Sequence, residues 1–227
     1  GANILTRNMI IYGQGAIRCH PYVLAELQAA QLDDQGAAVT AFDKALFGHI
    51  GFAISNFFRT FWLSLTGGAF SSAPYGDATA KYYKQMNRFS AALALMSDVA
   101  MGTMGGDLKR RERISARLGD MLSMLYLTSA VLKRFNDDGR PAQDLPLVQW
   151  ACEDNMYKAQ VALDEMLDNF PNRIVGSVLG KLLFPWGRTL RKPSDQLDHQ
   201  VSRIMQTPCE ARSRLATNVY LTLEPNN

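Results

Sequence analysis

Three stretches of this chain set apolar side chains at steps of three and four residues. That spacing limits the fold more than any other feature of the sequence. The first stretch is Tyr82, Met86, Phe89, Leu93, Met96 and Ala100; the second is Ile114, Leu118, Met121, Leu125, Thr128 and Leu132. The third is Val148, Cys152, Met156, Ala159, Leu163, Met166 and Phe170. Such steps return to one side of a helix with 3.6 residues per turn, so each stretch predicts an amphipathic helix with one face for a core. Gly102 and Gly105-Gly106 separate the first two, and Asn136-Asp137-Asp138-Gly139 follows the second. A short glycine connection predicts that these two pack as an antiparallel hairpin. Pro146 in the first turn and Pro171 at the far end bracket the third. No stretch alternates strictly between apolar and polar residues over a strand's length. The expected fold class is all-α: an antiparallel helical bundle of about four long helices plus shorter ones.

The fourth long helix is expected over 42–66, FDKALFGHIGFAISNFFRTFWLSLT, ended by Gly67-Gly68. It is long and apolar enough to suggest a membrane span. His49, Asn56 and Arg59 lie within it, and a charge at the centre of a bilayer costs roughly 2.5–3.5 kcal/mol on the mildest scale. A buried helix at a domain or subunit interface fits better, with Gly48 and Gly51 allowing close approach. Interfacial membrane contact through Phe57, Phe58, Phe61 and Trp62 is the alternative. Upstream, 22–31 favours helix and Asp33-Asp34-Gln35-Gly36 reads as a loop. Downstream, 172–184 is a shorter apolar helix, and Ser194-Asp195 opens an amphipathic one that Thr207-Pro208 stops. From Cys209 the chain is expected to be extended, to Glu224-Pro225-Asn226-Asn227.

Composition excludes several functions. A net charge of +3 is slight, and no basic stripe is interleaved with aromatics, so nucleic acid is not an expected partner. The 3 cysteines, Cys19, Cys152 and Cys209, have no CxxC spacing. With no basic segment leading into an apolar core at the start, a reducing, cytoplasmic setting is expected. His20, His49 and His199 are too scattered in sequence to suggest a metal site. Gly13-Gln14-Gly15 lacks the third glycine and the preceding strand of a dinucleotide fingerprint. Cys19 and His20 are neighbours, poorly placed on a helix to share a proton. Lys109 to Arg113 reads as a solvated basic face, with an anionic partner as the alternative. Composition and spacing alone give the helical body no catalytic site.

Longer motifs are more specific. Gly1-Ala2-Asn3-Ile4-Leu5-Thr6-Arg7 resembles the segment after the catalytic glutamate of many acyl-CoA dehydrogenases, where Glu-Gly-Thr-Asn precedes an apolar-Arg run. Residues 11–22 (IYGQGAIRCHPY), 47–52 (FGHIGF), 65–68 (LTGG), 108–120 (LKRRERISARLGD), 169–173 (NFPNR) and 193–195 (PSD) are similar to bacterial FadE-type long-chain acyl-CoA dehydrogenases. The resemblance spans essentially the whole chain. It implies FAD as cofactor, acyl-CoA as substrate, electron-transfer flavoprotein as electron acceptor, and formation of trans-2-enoyl-CoA in fatty-acid β-oxidation. It also implies that Gly1 touches acyl-CoA near the thioester and that Ala2, Asn3 and Ile4 lie along the flavin. Ala2 stands where threonine is commoner, so a hydroxyl contact is lost there. The catalytic glutamate would precede Gly1, so the 227 residues contain no catalytic residue and are expected to be inactive alone. On this reading 1–40 is the remnant of the dehydrogenase domain and 41–227 a C-terminal helical domain, truncated at its end. A homodimer and peripheral contact with the inner membrane remain open. A non-catalytic helical interaction or membrane-docking domain is the alternative function.

Overall fold

The computed structural model describes residues 1–217 and 219, and of Asn3, Ile4, Ile11 and Lys109 the backbone alone. The expected ending at Glu224–Asn227 lies outside the described residues. The chain is all-α, and no strand occurs among the described residues. A π-helical segment, Ala2–Gln14, leads into α1 (Gly15–Cys19) and α2 (Val23–Ala29). Four long helices follow: α3 (Gln35–Leu65), α4 (Ala80–Met104), α5 (Glu112–Asp137) and α6 (Leu145–Asp168). The shorter α7 (Arg173–Leu183), α8 (Asp195–Gln206) and α9 (Glu210–Ala216) close the fold.

The long helices run antiparallel in sequence order. His49 of α3 lies near Asp98 of α4, Tyr82 of α4 packs with Leu132 and Phe135 of α5, and Arg117 of α5 pairs with Glu165 of α6. The three stripes meet as expected. Phe89, Met96, Leu118, Met121, Met156 and Met166 are almost fully buried together, with Leu183 of α7 among them. Truncating such a side chain to alanine costs about 2–5 kcal/mol. Tyr12 of the N-terminal segment joins this core, so the first residues belong to the same packed body. Arg88, buried on α4, donates from Nη2 to the Leu183 carbonyl at 2.9 Å and ties down the C-terminal end of α7, where a cation suits the helix dipole.

Two expectations are corrected. The 33–36 loop is shorter than read: Asp34 caps α3 by accepting from Ala37 N at 2.7 Å, so the helix starts at Gln35. α3 therefore runs unbroken through 40–41. The stretch after Cys209 is helical over Glu210–Ala216, because tertiary contacts hold it. Ala211 is buried, and Arg214 pairs with Asp144 at 2.6 Å. Within this single chain α3 presents its apolar side outward. Its buried residues are Ala45, Asn56, Thr60, Leu63 and Ser64, while Phe47, Phe58 and Trp62 are more than half exposed.

Candidate functional site

The densest polar arrangement in the fold joins the N-terminal segment to α3 and α4. It starts at His20, which follows α1 and precedes Pro21. A residue before proline avoids helical angles, and His20 is extended (φ −68, ψ 134). This bend turns the imidazole back over the start of α2. There Nδ1 accepts from Tyr22 N and Val23 N, both at 3.2 Å, satisfying backbone donors that the first turn leaves free. With Nδ1 an acceptor, the proton sits on Nε2, which donates to Asp98 Oδ1 at 2.9 Å. The side chains of His20 and Asp98 are 7% and 8% exposed, so the bond is shielded from water.

His49 enters from α3. Its Nδ1–H donates to Glu26 Oε1 of α2 at 2.8 Å, and its Nε2 lies 3.8 Å from Asp98 Oδ1. The two imidazoles are 4.5 Å apart between centroids. Tyr22 stacks on His49 at an interplanar angle of 11°, and Phe52 meets the His20 ring edge-on at 5.4 Å. Gly48 makes this possible: a Cβ there would lie 2.5 Å from Tyr22 Cε1. Gly51, by contrast, faces open space. Two imidazoles thus converge on the Asp98 carboxylate, forming a clasp that ties α1, α2 and α3 to α4.

Its chemistry is limited by its own bonds. Both ring nitrogens of His20 are committed, so none remains to activate the exposed Cys19 beside it. His20, His49 and Asp98 lie close enough to surround an ion. In this tautomer, however, His20 Nε2 carries a proton and has no lone pair to offer. Only His49 Nε2 and Asp98 would face a cation. The grouping is built to hold elements together.

Beside the clasp lies a cavity of about 500 Å³, bounded by residues 8–17, α2 and the α4–α5 junction. Tyr12 forms part of its wall and links it to the clasp, bonding Ser97 Oγ next to Asp98 at 2.9 Å. Burial pushes the Tyr12 phenol up to about 12.

The chain matches the family described as acyl-CoA dehydrogenase, C-terminal, bacterial type, over residues 17–227. It belongs to that family. The matched span contains every residue of the clasp, from His20 to Asp98, together with the 47–52 motif and the second half of the 11–22 motif. No solved structure matches the chain. As an acyl-CoA dehydrogenase C-terminal domain it is the helical part of an oxidoreductase family. The residues assigned by resemblance to cofactor and substrate lie before the matched span. Gly1 and Ala2 are exposed; the side chains of Asn3 and Ile4 lie outside the described residues. Neither Gly1 nor Ala2 lines the cavity.

Sequence reading singled out His20 but missed its partners. His49, Asp98 and Glu26 carry no local signal of their meeting; the one hint is Gly48 beside His49 inside the FGHIGF motif.

Proposed function

We propose that this domain belongs to an FAD-dependent enzyme that converts a saturated acyl-CoA to the trans-2-enoyl-CoA, the first step of fatty-acid β-oxidation. The observation that carries this reading is the family match over nearly the whole chain. In that reaction a glutamate would take the α-proton of the thioester, and FAD would supply the hydride acceptor that formation of the carbon–carbon double bond requires. An electron-transfer flavoprotein then takes the electrons.

The cavity beside the clasp does not by itself fit an FAD. Its pyrophosphate asks for a cation or backbone donors. Among the described residues lining the cavity, none is lysine or arginine, and Glu112 brings the wrong sign. The reading therefore places the flavin and the proton-accepting glutamate outside these 227 residues, with Gly1, Ala2, Asn3 and Ile4 at the edge of that site. The chain's own contribution is structural: the clasp pins the segment following those residues to α3 and α4. The isolated chain should purify without flavin and show no acyl-CoA-dependent reduction of a dye acceptor. A longer polypeptide that includes the preceding residues should do both. Stoichiometric flavin together with turnover in the isolated chain would overturn this reading.

A second role, compatible with the first, is favoured by the outer face of α3. α3 packs on α7, and Trp186 beyond α7 donates to the Leu65 carbonyl at 2.8 Å, so the exposed Phe58, Trp62, Ile174 and Val178 belong to neighbouring elements. Residues 44–76 and 169–192 contain no Asp or Glu, whereas Arg59, Arg173 and Lys181 lie within them. Apolar side chains fringed mainly by cations, with Asp168 beside Arg173 and Lys181 the exception, suit an anionic bilayer surface. This reading makes the domain a peripheral membrane anchor at the cytoplasmic side of the inner membrane. The domain should co-sediment with phosphatidylglycerol vesicles, and salt or Phe58→Ser with Trp62→Ser should weaken this. Sedimentation equally good with neutral vesicles, or none, would refute it. A concentration-dependent dimer lost in the same variant would assign the face to a second copy.

A further inference from the structure

The cavity beside the clasp has a wall of carbon. Its apolar lining is Met9, Ile17, Val23, Leu27, Met101 and Leu108. The polar side chains in the wall are engaged elsewhere. Asn8 Oδ1 accepts from Arg7 Nε at 3.0 Å, the Tyr12 hydroxyl bonds Ser97, and Ser115 donates to the Leu108 carbonyl at 3.1 Å. Gln14 and Glu112 are exposed and sit at the rim. Gly105 and Gly106 add no side chain to the floor.

A polar or anionic ligand entering this space would lose its hydration and, among the described interior side chains, gain at most the Asn8 amide nitrogen. Water would fare little better, since it needs two or more polar contacts. A hydrocarbon loses nothing on entry, and about 500 Å³ falls within the usual range for small-molecule sites. We infer that this cavity binds a saturated alkyl chain whose polar head stays in solvent beyond Gln14 and Glu112. The site does not depend on the dehydrogenase reading. Two sources offer such a chain, an acyl thioester and a membrane lipid, and Glu112 keeps the anionic head of either one outside.

Isothermal titration of the 227-residue chain with a series of n-alkanols from hexanol to dodecanol tests this directly. Each added methylene should tighten binding about four-fold until the cavity is filled, after which affinity should level off. Ile17→Trp and Val23→Trp, each projecting into the space, should weaken dodecanol binding by about tenfold or more. Phe58→Ser, on the outer face of α3, should leave it unchanged. Far-UV circular dichroism shows whether each tryptophan variant is folded; if one is not, the other and the chain-length series decide. Displacement of dodecanol by decanoyl-CoA but not by lysophosphatidylglycerol identifies the thioester as the source, and the reverse identifies the lipid. An affinity independent of chain length, or equal in the native chain and a folded tryptophan variant, or displacement by neither competitor, would overturn the inference.

Discussion

Removing the Asp98 carboxylate should loosen the N-terminal segment by an amount that the clasp geometry sets. Asp98→Ala deletes the acceptor of the 2.9 Å bond from His20 Nε2. Both side chains are more than nine-tenths shielded, and a hydrogen bond to a charged group contributes about 1.5–3 kcal/mol. One effect works the other way. Asp98 Oδ2 is buried without a partner, so deleting the carboxylate also removes a group whose desolvation is uncompensated. The net loss expected is about 2 kcal/mol. In a chain of this size that lowers Tm by about 4–8 °C, at about 2–4 °C per kcal/mol. His20→Ala should cost more, by about 0.5–2 kcal/mol, because it also strips the cap from α2. Urea unfolding followed by circular dichroism, applied to both single variants and the double variant, gives the coupling directly. It should lie at about 1–2 kcal/mol. Additive losses, with a coupling below about 0.3 kcal/mol, would mean that the two side chains do not act on each other and that the clasp is misassigned.

The remaining predictions concern burial. Tyr12 is pushed up to about 12 by burial, against an unfolded value near 10. The fold favours the neutral phenol, so its contribution is intact below pH 10 and disappears as pH rises through about 12. The unfolding free energy should therefore fall less steeply between pH 10 and 12 in Tyr12→Phe, and an unchanged slope would refute the assignment. Gly176→Ala should cost about 1–3 kcal/mol, because its Cβ would lie 2.7 Å from the Leu167 carbonyl oxygen. Gly180→Ala meets nothing within 4 Å and should be neutral or slightly stabilising; equal urea midpoints for the two would contradict the close approach of α7 to α6. Cys19 is exposed whereas Cys152 is fully buried, its thiol raised to about 12 by burial. A thiol reagent should label Cys19 promptly and Cys152 only after denaturation, as peptide mapping would show.

The bundle was legible because its stripes needed no knowledge of their partners. Phe89, Met96, Leu118 and Met166 are interior by their spacing alone, and each is at most 1% exposed. α9 was not legible, since a helix so short holds no stripe and owes its stability to Arg214 reaching Asp144. The clasp was illegible for another reason. His20 and His49 look scattered along the chain, and only the antiparallel return of α4 along α3 brings Asp98 to both. What local sequence did carry was permission: proline after His20 to bend the chain, and glycine beside His49 to admit Tyr22. The four residues given cofactor and substrate roles rest on resemblance, and the family match begins only at residue 17.

α3 shows why hydrophobicity alone misleads about direction. The sequence predicts a helix buried at a domain or subunit interface; within this chain its inward face is Asn56, Thr60, Leu63 and Ser64. Asn56 Nδ2, Thr60 Oγ1 and Ser64 Oγ have no partner there, and an unpaired buried polar group costs about 1–3 kcal/mol. These small side chains let α3 lie against α4 and α7, where the rings of Phe58 or Trp62 would hold them apart. A helix that hides its amides and hydroxyls and shows its aromatics is arranged around a second apolar environment. Fully burying one such aromatic is worth about 1.5–3 kcal/mol, so covering two or three of them offsets the inward cost. Selection for solubility alone would have rotated the helix or exchanged the two faces, and neither has happened. The orientation of α3 thus supports the proposal that this face meets a second apolar surface, whether a bilayer, a second copy or another domain.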